Sequence, residues 1–150
     1  MTGGIDVLGI TAEQTHDLRR RVLRDGAADA DVRWVGDDDD GTVHLGAVLD
    51  AQLVAVSTWL VARDPLAPAL HSVQLRGMAT DPAHVGRGVG RALHDAGLRR
   101  AAHDGADRVW ANARVTALAF YERAGMTVSG PVFVTEATGL PHRHVHVDLD

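Results

Sequence analysis

Apolar and polar residues follow two different periods along this chain, which predicts a mixed α/β fold. Short apolar runs of strand length predict seven strands, at residues 5–10, 43–49, 53–61, 71–79, 108–113, 126–134 and 142–149. Helical periodicity instead follows Thr11 as far as residue 23, runs from the Gly-rich segment 86–90 to about Gly105, and returns at residues 117–124. No linker, repeat or low-complexity block interrupts this order. We therefore expect one α/β (α+β) domain over residues 1–150.

The order of the elements predicts the arrangement of the sheet. The first half of the chain is rich in strands, with a hairpin turn at residues 50–52, whereas the second half passes from strand to helix to strand. We expect a mixed, mostly antiparallel sheet of six or seven strands with about four flanking helices. The three arginines at residues 19–21 are expected on a solvated helix face, and the four aspartates at residues 37–40 in a solvated turn.

Composition excludes several kinds of chemistry and partner. The chain has no cysteine, so disulfides, a thiol nucleophile and a cysteine-bound zinc are excluded, and it has no lysine, which excludes Schiff-base and P-loop mechanisms. The net charge of -5 argues against a nucleic-acid partner. We also expect a cytoplasmic protein with no membrane partner, because there is no signal pattern and the longest apolar run, residues 53–62, cannot span a bilayer. Oligomeric state is left open, with a homodimer as one alternative.

The most informative segment is the Gly-rich turn at residues 86–91, between the strand 71–79 and the following helix. Glycines let several backbone N–H groups converge there, and the helix dipole adds about half a positive charge, which favours a phosphate or pyrophosphate ligand. A purely structural turn is the alternative. A P-loop would need Gly-Lys, and a dinucleotide fold would need a third glycine where Ala92 or Leu93 stands, so both of those phosphate motifs fail.

Two sequence blocks in this order resemble the GNAT superfamily of acetyltransferases. The first is Val85-Gly86-Arg87-Gly88-Val89-Gly90, which fills the family's glycine frame except that Val85 stands where Arg or Gln is usual. The second runs from Asn112 to Met126 and contains the Phe120-Tyr121 pair and Gly125. It departs from the family at Arg114, where Asn is common, and at Met126, where Phe is common.

The resemblance implies a GNAT-like fold and direct transfer of an acetyl group from acetyl-CoA to an amine, with no metal. The backbone of residues 78–80 would pair with the pantetheine arm, the turn at 86–91 would bind the CoA pyrophosphate, and Tyr121 would act as general acid on the departing thiolate. The implied CoA-binding residues are Met78, Ala79, Thr80, Val85, Gly86, Arg87, Gly88, Val89, Gly90, Arg91, Asn112, Phe120 and Arg123. Core packing is the alternative role for Tyr121 and Phe120, and a surface position the alternative for Arg123.

The general base and the acceptor are not fixed by the sequence. An incoming ammonium must lose a proton before it attacks the thioester, through ordered water, His71, His142 or an aspartate of the turn 37–40. We interpret His142, His71 and Asp39 as candidate substrate residues. The acceptor is a small-molecule amine or a peptide amine.

Three histidines alternate along the last predicted strand, at His142, His144 and His146, and therefore share one face. A metal site on that face is an alternative, although no acidic ligand accompanies it in the sequence, so we expect no metal. A further alternative is a module that binds acyl-CoA without turning it over.

Overall fold

The protein is a seven-stranded sheet with helices on both faces. The structure, a computed structural model, describes residues 4–24, 31–136 and 138–150. The strands are β1 Asp6–Ile10, β2 Val43–Leu49, β3 Gln52–Val61, β4 Ser72–Thr80, β5 Arg108–Arg114, β6 Thr127–Val134 and β7 Pro141–Asp148. The helices are α1 Ala12–Leu18, which continues as a π-helical turn Arg19–Leu23, α2 Val89–His103 and α3 Leu118–Arg123. Among the helices of these described ranges, none combines the length and hydropathy needed to cross a bilayer.

The strand order β1-β2-β3-β4-β5-β7-β6 confirms the predicted mixed sheet. Every neighbouring pair is antiparallel except β4 and β5, which are parallel and joined through α2. A parallel pair needs such a crossover, and the strand-helix-strand order of the second half of the chain predicts it. The helix count within the described residues is three, with the π-helical turn extending α1 to residue 23.

Local signals in the sequence explain two element boundaries. Thr11 caps α1: its hydroxyl accepts from the N–H of Gln14 at 3.2 Å, and the Gln14 side chain accepts from the N–H of Thr11 at 2.8 Å. Asp50 and Ala51 both have positive φ, 51° and 63°, which is the conformation of a tight turn between two twisted antiparallel strands. The predicted helix start and hairpin are confirmed.

The sheet separates where β4 and β5 diverge. Parallel pairing between them covers only Ser72 to Gln74 against Arg108 to Trp110. On its other side β4 bulges against β3, at Gly77, whose φ is +64° and whose missing Cβ leaves room for the Trp34 ring. Beyond Gln74 the two strands therefore present unpaired edges to a cleft.

Apolar residues cover both faces of the sheet. The larger cluster packs α2 and α3 on one face and includes Trp59, Leu93 and Tyr121. The smaller cluster packs the first helix on the other face and includes Leu18 and Val56. The cleft between β4 and β5 lies between these two layers of packing, so a rigid scaffold holds its walls.

The arginine run is not a uniformly solvated helix face, because Arg19 is fully buried. Its guanidinium donates to Asp37 at 2.7 and 3.1 Å, to the backbone oxygen of Val32 and to the hydroxyl of Thr58. Asp37 is likewise buried, which corrects the prediction that all four aspartates are solvated. Sequence reasoning missed this pair because a buried Arg and a surface Arg look alike until a distant carboxylate is placed beside one of them.

We expect Asp37→Asn to lower the free energy of unfolding by about 3–5 kcal/mol, because it leaves the buried Arg19 cation without its counter-ion. Burial alone would raise the pKa of Asp37, but hydrogen bonds from Arg19 and from the N–H of Trp34 outweigh it and lower the pKa to about 2. A depressed pKa contributes stability above about pH 4, and that contribution is lost as the pH falls towards 2. Urea denaturation at pH 7 and pH 3 measures both effects.

Asp38→Asn, at the exposed neighbouring position, is the control and should change the unfolding free energy by less than about 0.5 kcal/mol. Equal stabilities for the Asp37 and Asp38 variants at pH 7 would contradict the structural role of the buried pair.

Candidate active site

The divergence of β4 and β5 opens a cavity of about 370 Å³. Its walls come from both strands, from α3 and the turn before it, from the end of the first helical segment, and from the β6–β7 connection. The lining residues are Leu23, Arg24, Trp34, Gln74, Leu75, Arg76, Gly77, Met78, Ala111, Asn112, Ala113, Arg114, Ala117, Tyr121, Thr135, Thr138 and His142. A cavity of this size suits a small molecule.

The Gly-rich turn lies just beyond the carboxyl end of β4, at the start of α2. Gly86 and Gly88 have φ of +87° and +79°, and a Cβ at either position would meet no atom within 4 Å. Gly88 is the N-cap of α2, and the first N–H groups of a helix have no partner within it. The turn is exposed, so these donors and the helix dipole are open to an anionic ligand.

Gly90 fixes the position of this turn relative to the rest of the site. A Cβ on Gly90 would lie 3.4 Å from the Phe120 ring and 3.6 Å from the hydroxyl of Thr80. The helix that starts at the turn therefore packs closely on both α3 and the end of β4. This contact brings Thr80, Phe120 and the turn together, as the sequence predicts for residues of one site.

The end of β4 offers an unpaired strand edge to the cleft. Val56 of β3 pairs with Ala79 on one side, while the pairing with β5 on the other side has ended at Gln74. Backbone N–H and C=O groups on an unpaired edge can bind an extended chain that carries amides. Met78 lies where this edge meets the cavity.

Tyr121 lines the cavity from α3, and only 8% of its surface is exposed. Its ring packs edge-on against Phe120, with the centroids 5.2 Å apart, and 6.0 Å from the ring of the buried His94. Burial raises the pKa of Tyr121 to about 12. The phenol is therefore protonated throughout the neutral range and can donate a hydrogen bond.

His142 lines the opposite wall from β7. Its Nδ1 lies 2.8 Å from the carbonyl oxygen of Leu140, and its ring stacks on Phe133 with the centroids 6.0 Å apart. A carbonyl oxygen can only accept, so Nδ1 carries the proton and the neutral ring keeps a lone pair on Nε2. The arrangement suits a proton acceptor held in one tautomer.

Several other residues predicted for the site are placed as follows. Asn112 lines the cavity, whereas Asp39 is exposed in the turn after Trp34 and lies outside the lining. His71 lies just before the opposite end of β4, where it lines a second pocket. The structure therefore does not bring Asp39 or His71 to the cleft.

The charged residues around the glycine turn are mostly exposed. Arg91 pairs with Asp95 at 3.0 Å and donates to the backbone oxygen of Arg123 at 3.1 Å, which ties α2 to the end of α3. Arg87 is exposed in the turn itself, and 68% of the surface of Val85 is exposed.

Sequence reasoning missed most residues of the cavity wall, among them Arg24, Trp34 and Arg76. Arg24 and Trp34 lie between the first predicted helix and the predicted strand at residues 43–49, and Arg76 lies within the predicted strand at residues 71–79. Only the tertiary fold brings them together.

The alternating histidines of β7 do share one face, but each contacts a different group. His144 lies 2.9 Å from a carboxylate oxygen of Asp64 and stacks on Trp110, while Nδ1 of His146 lies 3.3 Å from the hydroxyl of Ser129. Within the described parts of the chain, no three His, Asp or Glu side chains are grouped as a metal would require. The absence of a bound metal stays a prediction.

Comparison with known proteins gives one consistent result. Residues 11–126 match the model of the Acetyltransferase (GNAT) family. An uncharacterized N-acetyltransferase of Bacillus subtilis, YitI, is 28% identical over 129 residues, which is 86% of this chain and 87% of that protein. Among solved structures, a protein from Lactobacillus plantarum assigned as an N-acetyltransferase superposes with a TM-score of 0.79 at 22% identity, covering 98% of this chain and 99% of the other.

A further solved structure, an aminoglycoside 6'-N-acetyltransferase complexed with coenzyme A, has a TM-score of 0.75 at 12% identity and covers 95% of this chain and 96% of its own. The chain belongs to the GNAT family and is an acyltransferase. The fold and family expected from the two sequence blocks are confirmed.

Proposed function

We propose that this enzyme transfers an acetyl group from acetyl-CoA to a primary amine by direct attack of the amine on the thioester. One observation carries the proposal: the glycine turn follows the carboxyl end of β4, whose unpaired edge leads into the cavity that Tyr121 lines. These are an anion site, an amide-binding edge and a proton donor, in the order that an acyl-CoA presents its pyrophosphate, pantetheine and thioester.

The cofactor would lie along β4. Backbone N–H groups of residues 86–91 would bind the pyrophosphate, and residues 78–80 would pair with the pantetheine amides as an added strand. Phe120 would support the turn through Gly90, and Asn112 and Arg123 would complete the wall and rim. Because backbone groups supply the phosphate contacts, Val85 in place of the usual Arg or Gln is compatible with binding.

Tyr121 would donate to the sulfur as the carbon–sulfur bond breaks. Its raised pKa of about 12 keeps the hydroxyl protonated. A free cysteine thiol, which serves as a guide to the CoA thiol, has a pKa of about 8.5, so the thiol is the stronger acid of the two. The most useful contribution is therefore donation to the sulfur as negative charge develops in the transition state. The amine attacks the carbonyl carbon, CoA leaves as the thiolate or thiol, and no acetylated enzyme forms.

His142 is our candidate for the general base, because it lines the cavity and its Nδ1 is bound to the Leu140 oxygen, which leaves Nε2 to accept a proton. We expect His142→Gln to lower kcat/KM by about 10²-fold at neutral pH. Glutamine can still donate to the Leu140 oxygen, but it cannot accept the proton of the incoming ammonium. The deficit should shrink as the pH passes the pKa of the acceptor, about 8 for the α-amino group of a peptide, because the amine then arrives deprotonated.

His71→Gln is the matched control, since it removes an exposed imidazole that lies at the amino end of β4, outside the cavity. Steady-state rates from pH 6 to pH 9, measured with a peptide acceptor whose α-amino group titrates within this range, distinguish the two variants. A His142 deficit that is constant across this range, or no deficit at all, would show that water takes the proton instead.

The proposal as a whole is tested by thiol release from acetyl-CoA in the presence of a panel of primary amines. Release that requires both the enzyme and an amine supports it. A module that only binds acyl-CoA would bind the cofactor, raise the melting temperature and release no thiol with any amine.

A further inference from the structure

The part of the cavity away from the glycine turn is basic, although the whole chain has a net charge of -5. Arg24, Arg76 and Arg114 line it, and none of the described lining residues is Asp or Glu. Asparagine, glutamine and threonine, together with Tyr121 and His142, supply the other polar lining. An electropositive cavity in an acidic protein favours an anionic group on whatever enters it.

Trp34 organises two of these arginines. The guanidinium carbons of Arg24 and Arg76 lie 5.8 and 5.7 Å from the centre of its ring, and the buried Arg19 stacks on it at 3.8 Å. Among the described residues around this ring, Asp37 is the carboxylate that offsets the charge, and it pairs with both Arg19 and Arg76. Nε of Arg76 is buried with no hydrogen-bond partner. Trp34, Arg24 and Arg76 form what we call the arginine wall. This wall carries more positive charge than the described carboxylate, Asp37, neutralises.

The third arginine lies beside the candidate base. Arg114 of β5 pairs directly across from His142 of β7, so their Cβ atoms are about 4.5–5.5 Å apart on the same face of the sheet. Arg114 also donates to the backbone oxygen of Leu23 at 3.1 Å. An amine bound at His142 is therefore close to the arginines that line the same cavity.

We propose that the acceptor is an amine that carries a carboxylate close to the nitrogen, as a free α-amino acid does. The inference rests on the proposed function and specifies its substrate. The carboxylate lies against the arginine wall, where guanidinium groups bind it through charge-assisted hydrogen bonds, and the amine faces Nε2 of His142. Polyamines and other polycationic amines are disfavoured, because their additional positive charges would be repelled by the same arginines.

The arginines are separate from the implied pyrophosphate site. Residues 79–91 are not part of the cavity lining, and along β4 Arg76 lies before Met78, farther from the turn that follows the strand. Loss of an arginine from the wall should therefore change recognition of the acceptor and leave the KM for acetyl-CoA unchanged.

The first test compares acceptors that differ only in the carboxylate. Each of several α-amino acids is assayed beside its amide and its decarboxylated amine, with spermidine and phosphoethanolamine as further acceptors. We expect at least about 10-fold higher kcat/KM for the best amino acid than for its amide, since a charged hydrogen bond is worth at least one factor of ten. Higher kcat/KM for the amide, spermidine or phosphoethanolamine would overturn the inference.

The second test uses Arg76→Gln with Arg99→Gln, an exposed arginine of α2, as the control. In the Arg76 variant, the ratio of kcat/KM for the amino acid to kcat/KM for its amide should fall by about 10-fold. The KM for acetyl-CoA should be unchanged. Because Arg76 also pairs with Asp37, Arg24→Gln provides a second variant if Arg76→Gln fails to fold. An unchanged preference in a folded Arg76 variant, or in the Arg24 variant that replaces it, would contradict the inference.

The two proposals can fail separately. Turnover of amines without regard to the carboxylate contradicts the inference and leaves acetyl transfer standing. Absence of thiol release with every amine contradicts acetyl transfer. In that case the inference is tested by the rise in melting temperature that an amino acid and its amide each produce in the CoA-bound protein. A larger rise with the amino acid than with its amide supports the carboxylate site, and equal rises overturn it.

Discussion

The Tyr121→Phe variant is expected to retain its fold and its affinity for CoA while the chemical step slows by about 10²- to 10⁴-fold. Phenylalanine keeps the ring that packs against Phe120 and His94, so the core changes little. What disappears is the hydroxyl, whose raised pKa of about 12 keeps it protonated and able to donate at working pH. Single-turnover rates of thiol release, with CoA binding measured separately, give the two quantities.

The packing interpretation of Tyr121 makes the opposite prediction. If this side chain only fills the core, the Phe variant turns over at the wild-type rate even where chemistry is rate-limiting. A fall in rate accompanied by an equal loss of CoA affinity would instead indicate a binding role, and would count against donation to the sulfur.

The Gly88→Val variant is expected to abolish the rise in melting temperature that CoA produces. A ligand at about 100 times its dissociation constant adds about 2.7 kcal/mol to the native state, which is about 5 to 10 °C for a domain of this size. Gly88 has φ of +79°, where a β-branched residue is strained by about 1–2 kcal/mol, and its side chain would enter the space above the turn. Differential scanning fluorimetry with and without CoA measures the shift.

Gly105→Val is the matched control for strain. Gly105 has φ of +90°, a Cβ there would meet nothing within 4 Å, and it follows the other end of α2. Both variants should lose similar stability without ligand, but only the Gly105 variant should keep the CoA shift. A full shift in the Gly88 variant would place the pyrophosphate elsewhere.

Most of the fold could be predicted from the sequence because its determinants are local. The Thr11 capping box, the turn at residues 50–51 and the parallel crossover each depend on nearby residues or on element order. The glycine turn was predictable for the same reason, since its glycines supply conformations that other residues avoid. The two motif blocks then indicated which loop we propose to bind the cofactor.

The acceptor side could not be predicted because distant contacts assemble it. Burial of Arg19 depends on its ion pair with Asp37, eighteen positions away. The contact between Trp34 and Arg76 likewise joins residues of two different segments. His71 and Asp39 have suitable chemistry, but only the tertiary structure shows that they lie outside the cavity. Of the three substrate candidates, His142 alone lines the cavity.

Direct acetyl transfer is tested by tracing the acetyl group itself. The enzyme is mixed with an amine acceptor and with acetyl-CoA that is isotopically labelled in the acetyl carbons. The masses of the acceptor and of the intact protein are then measured by mass spectrometry. The account predicts label on the acceptor nitrogen in proportion to the CoA thiol released, with none on the protein at any time. Label that first accumulates on the protein, or thiol release without acetylated acceptor, would contradict it.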